Sequence, residues 1–224
     1  MLDSLSRLGL EVKYLDPATD FYGDTLALTE LRRDDDAVAY DAGDTELVLR
    51  RPSTVPRGGV HTHFAFSIPA AEYDDWWDQL DGELDLEEHV FGDARSLYCY
   101  DPDGNCVELG QTTVAGPGID GVFEVVLEVE DLARAESFYT DLGFEPVDRG
   151  EDRVRTRLQG PMALELWEPH LGLADARGGL HVELGFEGDP AAASDAVGDA
   201  ACAVESVDGG VRIRDPDGHY LTVR

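Results

Sequence analysis

The chain has 224 residues, and 48 Asp and Glu against 17 Lys and Arg give a formal net charge of −31. Hydrophobic residues make up 42%, enough for a core and too many for a disordered chain. So acidic a surface repels nucleic acid and anionic membranes, and no apolar run nears the ~18 residues of a membrane span, so neither partner is expected.

The acids are spread along the chain, and Lys13 is its only lysine. This pattern reads as adaptation to molar salt, where the Debye length falls to about 3 Å and self-repulsion is muted. The N-terminus MLDSLSRLGLEV lacks the charged, apolar and small-residue regions of a signal peptide, so a cytoplasmic location is expected. Cys99, Cys106 and Cys202 are odd in number and form no CxxC pair, which reads as core thiols.

In chain order, the first half predicts a strand at 10–14, a helix near 18–26 and strands near 38–40 and 46–50. A second unit opens with a strand at 63–68 and a helix over 70–80, and closes with a hairpin of strands 96–100 and 106–109. The second half predicts a strand at 125–129, where Val125, Leu127 and Val129 alternate with Val126, Glu128 and Glu130. Asp131 then caps a helix that Gly143 stops. Strands follow near 153–158 and 162–167, then a strand at 181–186, a helix at 190–200 and short closing strands.

Three landmarks recur in order. Phe21-Tyr22-Gly23-Asp24 returns as Phe138-Tyr139-Thr140-Asp141, Gly58-Gly59-Val60-His61 as Gly178-Gly179-Leu180-His181, and Asp101-Pro102-Asp103-Gly104 as Asp215-Pro216-Asp217-Gly218. This is a tandem duplication with a period of about 115 residues. The expected organisation is α+β: four βαβββ units, with domains at 1–112 and 121–224 joined by a Gly- and Pro-rich linker at 113–120. The Phe-Tyr pairs read as helix-to-sheet packing, and DPDG reads as a turn.

VVLEVEDLARAESFYTDLGFE at 125–145, HFAFSIP at 63–69, DPDGNCVEL at 101–109 and DPDGHYLTV at 215–223 together resemble the vicinal oxygen chelate superfamily. That superfamily includes glyoxalase I, extradiol dioxygenases and bleomycin resistance proteins. The resemblance implies two cupped, glyoxalase-like mixed sheets, each built from two units, with one divalent metal held by residues of first and last strands. Carried over position by position, it implies His63, Glu108, Glu124 and Glu165 as metal ligands. Gly9, Val48, Glu183 and Thr222 stand at the corresponding places of the other units.

Two pairings of units are open. If each half closes its own cup, the ligands are divided between the cups. If the middle two units share a cup, it collects His63, Glu108, Glu124 and Glu165, and the outer cup is degenerate. The complementary loss favours the shared cup.

One imidazole and three carboxylates suit Zn, Ni, Mn or Fe(II). The resemblance implies a glyoxalase I-like lyase or isomerase acting on a small-molecule substrate, with Glu108 or Glu124 as the base at an enediolate. An extradiol dioxygenase and a non-catalytic binding protein are the alternatives. His61 shares the face of His63 and reads as a possible pocket residue. One chain is equivalent to a dimer of single-domain relatives, so a monomer or a homodimer is expected.

Overall fold

The computed structural model describes residues 1–52, 62–151, 154–168 and 182–224. Unit 1 comprises β1 (Leu2–Glu11), α1 (Leu15–Thr19) running into a π-type turn (Asp20–Thr25), β2 (Thr29–Arg33), β3 (Ala37–Ala42) and β4 (Thr45–Arg50). Unit 2 comprises β5 (His63–Pro69), a 3₁₀ turn (Ala70–Glu72) leading into α2 (Tyr73–Leu80), β6 (Glu87–Phe91), β7 (Ala94–Tyr100) and β8 (Cys106–Thr112). Unit 3 comprises β9 (Val122–Glu128), α3 (Leu132–Asp141), β10 (Glu145–Arg149), β11 (Arg155–Gln159) and β12 (Ala163–Trp167). Unit 4 comprises β13 (Glu183–Gly188), α4 (Pro190–Val197), β14 (Ala203–Val207), β15 (Gly210–Arg214) and β16 (Tyr220–Val223).

The helix ends follow local chemistry. Asp131 accepts a hydrogen bond from the Arg134 amide at the start of α3, and Asp189 accepts from Ala191 and Ala192 at the start of α4. Gly143, with φ at 99°, closes α3 where a side chain would be strained.

In every unit the first strand pairs in parallel with the fourth, and first strands pair antiparallel between units. The result is two eight-stranded mixed sheets. The outer sheet runs β14-β15-β16-β13-β1-β4-β3-β2 and joins units 1 and 4; the middle sheet runs β10-β11-β12-β9-β5-β8-β7-β6 and joins units 2 and 3. The sheets therefore do not follow the expected division at 1–112 and 121–224: each takes one unit from each half. Residues 113–120 carry no helix or strand and lie between β8 and β9.

Each sheet has one apolar and one polar face. Phe64, Phe66, Ile68, Val107, Leu109, Val125, Leu127, Leu164 and Leu166 alternate along the middle sheet and are fully buried. Leu8, Leu47, Leu49, Leu184, Leu221 and Val223 do the same in the outer sheet, and both sets join one core with the helices. At about 2 kcal/mol for each fully buried large apolar side chain, this alternation is what holds the register.

The recurring FY and DPDG motifs meet in space. The Tyr22 hydroxyl donates to Asp101 Oδ2 at 2.7 Å, and Tyr139 donates to Asp215 Oδ2 at 2.8 Å. The second Asp of each turn accepts a backbone N–H just beyond the first strand of the preceding unit: Lys13 to Asp103 at 3.1 Å and Glu130 to Asp217 at 2.8 Å. Asp101 and Asp215 also accept amides of their own turns. The motifs expected to be packing and a turn thus form a buried clasp that ties the two units of each half, and with them the two sheets, together.

Two differences from expectation have physical causes. The first strand ends at Glu11 instead of reaching Tyr14, and bulges at Leu2/Ser4 and Leu5/Arg7 break its alternation. Strands β2, β6 and β10 are exposed at every position, so they carry no apolar rhythm to read. His219, just before β16, is buried with Nε2 at 2.9 Å from the Glu128 carbonyl. Among the described residues, no helix is long and apolar enough to cross a membrane.

Candidate metal centre

Strand register sets what faces the middle cup. His63 lies opposite Cys106 and Val126, Ala65 opposite Glu108 and Glu124, and Tyr98 opposite Glu108. With a side-chain period of two, the face opposite the apolar one presents His63, Ser96, Tyr98, Glu108, Glu124, Glu165 and Trp167.

His63, Glu108 and Glu124 converge. One ligand atom from each lies within 4.8 Å of the others, and all three residues are buried. His63 Nε2 stands 3.1 Å from Glu108 Oε2. With Glu108 ionised, the imidazole is the donor. Burial alone would push the Glu108 carboxyl up, but bonds from His63, Ser96 and Tyr98 hold it below its ordinary pKa. The His63 ring lies edge-on to Tyr98 and Trp167, with centroids at 5.3 and 6.3 Å.

Glu124 is different. Burial pushes its pKa up to about 6; Arg157 opposes this, while Glu165 and Glu108 add to it. Arg157 Nη1 touches Glu124 Oε2 and stands 3.0 Å from Glu165 Oε1. Glu165 also receives Arg155 at 3.3 Å and the Trp167 indole N–H at 2.7 Å.

Of the four residues expected to hold a metal, the structure thus groups three. Glu165 lies on the same face but is engaged by two arginines and an indole, outside that group. His61 lies outside the described residues. Arg157, Ser96 and Tyr98 are not singled out by the sequence reading, yet Arg155 and Arg157 stand two apart at strand spacing, a signal that cations line one face.

The corresponding outer positions hold no such group. Gly9 faces Glu183 and Val48 across the ladders, and Thr222 donates to Glu183 Oε1 at 3.1 Å. One carboxylate with Gly, Val and Thr does not make a metal site.

Residues 4–109 match the model described as the Glyoxalase/Bleomycin resistance protein/Dioxygenase superfamily. Metallothiol transferase FosB of Staphylococcus saprophyticus is 29% identical over 121 residues, covering 51% of this chain and 80% of the relative. FosB of Lysinibacillus sphaericus is 27% identical over 120 residues, 50% of this chain and 85% of the relative. Among solved structures, glyoxalase I of Zea mays superposes with a TM-score of 0.70 at 19% identity, covering 98% of this chain and 91% of that one. A Bacillus subtilis chain gives 0.77 at 15% identity, covering 99% and 84%. At these identities the structural likeness speaks for the fold, which is the one built above from four βαβββ units. With the family model over residues 4–109 and the FosB relatives over about half of the chain, it leads to one statement: the chain is similar over about half its length to the glyoxalase/bleomycin resistance protein/dioxygenase superfamily and has a glyoxalase-like fold throughout.

Proposed function

We propose that the middle cup holds one divalent metal ion on His63, Glu108 and Glu124 and is the active site of a metal-dependent enzyme acting on a small oxygen-chelating molecule. The observation that carries this reading is the convergence of one imidazole and two carboxylates, within 4.8 Å, from three strands of one polar face. The donor set suits Zn, Ni, Mn or Fe(II). When bound, such an ion supplies Lewis acidity to substrate oxygens. Three protein ligands leave coordination positions free for two adjacent oxygens.

The residues divide the remaining work. Glu108 is fastened by three donors and suits a fixed ligand. Glu124 is held by Arg157 alone among the described contacts, so it is the better placed to carry a proton between neighbouring carbons. This favours a glyoxalase I-like lyase or isomerase. The names of the FosB relatives favour a second reading, metal-dependent thiol transfer, at the same site. The two-histidine set of an extradiol dioxygenase has only His63 in the trio.

The test is metal content by mass spectrometry after purification in molar KCl without chelator. We expect about one equivalent per chain, lost in Glu108→Gln and retained in Glu165→Gln. Turnover of a hemithioacetal, or transfer of a thiol, then separates the two reactions. No binding of added Zn, Ni, Mn or Fe(II) would overturn the proposal.

A further inference from the structure

The outer cup carries a different chemistry. Against its 48 acidic residues the chain has 17 basic ones, yet Arg7, Arg50, Arg212 and Arg214 share one face of the outer sheet. Register places them there: Arg7 lies opposite Gly185 and Glu46, Arg50 opposite Glu11, Arg212 opposite Thr222 and Arg214 opposite Tyr220. At their centre is Glu183, only 2% exposed.

Glu183 does not use these cations up. Arg212 reaches its Oε1 at 2.9 Å, whereas Arg7 and Arg50 stand 3.8 and 3.9 Å away, beyond hydrogen-bond distance. Arg50 is also held by Glu11 at 2.6 Å, and Arg32 is paired with Glu46 at the rim. Among the described residues, the three inner arginines and Arg32 therefore face three carboxylates, Glu183, Glu11 and Glu46, and Arg214 adds a further positive charge. Among the described residues, the buried Nε atoms of Arg7, Arg212 and Arg214 have no hydrogen-bond partner. A guanidinium nitrogen buried without a partner is costly, and a bound acceptor would remove that cost. Burial also lowers the Arg7 pKa; Glu183 and Glu46 oppose this, while Arg32 and Arg224 reinforce it.

A surplus of half-buried, underused guanidinium groups around one fixed carboxylate is an anion receptor. We propose that the outer cup binds a phosphate-type oxyanion between Arg7, Arg50 and Arg212, in competition with Glu183, the buried carboxylate at their centre. Gly185 leaves room for the Arg7 side chain: a Cβ there would meet the Arg7 Cβ at 2.8 Å and push that side chain aside. The inference is independent of any metal in the middle cup.

The test is titration calorimetry of the full chain with inorganic phosphate, and separately with methyl phosphate, at constant KCl. We expect one saturable event. Arg7→Gln and Arg212→Gln should weaken it at least about tenfold, whereas Arg157→Gln in the middle cup should leave it unchanged. Glu183→Gln removes the competing carboxylate and should tighten binding, an effect that loss of structure would not produce. Binding of methyl phosphate as tight as that of phosphate assigns an esterified ligand, and binding of phosphate alone assigns the free ion. Absence of saturable binding, or binding lost in Arg157→Gln and kept in Arg7→Gln, would overturn the proposal.

Discussion

Arg157 stands where a metal ion would have to work, and replacing it by glutamine tests that competition. The guanidinium is 31% exposed, whereas Glu124 and Glu165 are each 9% exposed. Removing one partner of a buried pair costs about 3–5 kcal/mol, and the partial exposure of Arg157 reduces the expected loss to about 2 kcal/mol. For a chain of this size that is a fall in Tm of about 4–8 °C in metal-free buffer. A divalent cation should narrow the gap. In the native chain it must displace Arg157 from Glu124, and in Arg157→Gln it finds the carboxylates unopposed. At a free Mn concentration about 100 times the native Kd, the native chain gains about 2.7 kcal/mol; a variant binding tenfold tighter gains about 4.1 kcal/mol. Urea unfolding in molar KCl, with chelator and with Mn, reads both numbers. Equal stability of the two chains without metal, or an equal gain on adding it, would refute the idea that Arg157 occupies the carboxylates in the ion's place.

Two further outcomes follow from the clasp. Tyr139→Phe deletes the buried bond to Asp215, a hydrogen bond to a charged group worth about 1.5–3 kcal/mol. In an Asp215→Asn background the same change should cost less than half as much, and a double-mutant cycle of urea midpoints checks it. Burial raises the Asp103 carboxyl from 3.8 to about 6, with the Lys13 amide opposing and Asp101 reinforcing. The folded state therefore holds that proton more tightly: this contribution to stability is fully present below about pH 4 and is lost as pH rises through 6, by at most about 3 kcal/mol. Asp103→Asn should flatten the pH profile of the urea midpoint in that window, and an unchanged slope would count against the assignment.

The four-unit organisation is legible in the sequence because turn chemistry repeats more faithfully than packing does. DPDG, the FY pairs and the Gly-Gly-x-His steps keep their order across both halves. The inward aim of Glu124 is legible too, since Val125, Leu127 and Val129 assign the opposite face to the core. The engagement of Glu165 is not. It depends on Arg157 lying directly across the β11–β12 ladder, a pairing that no reading of either strand alone contains. The edge strands are silent for the opposite reason: β2, β6 and β10 bury nothing, and their charged residues serve to discourage pairing with other chains.

The exchange of units between halves has a genetic consequence. In a symmetric dimer of single halves, every substitution would strike both cups at once. In this chain the first and last units build one cup and the middle two build the other, so each codon answers to one cup only. Gly9, Val48 and Thr222 therefore stand in the outer cup alone and constrain nothing in the middle one. Covalent linkage of the halves thus lets the two cups change independently of one another.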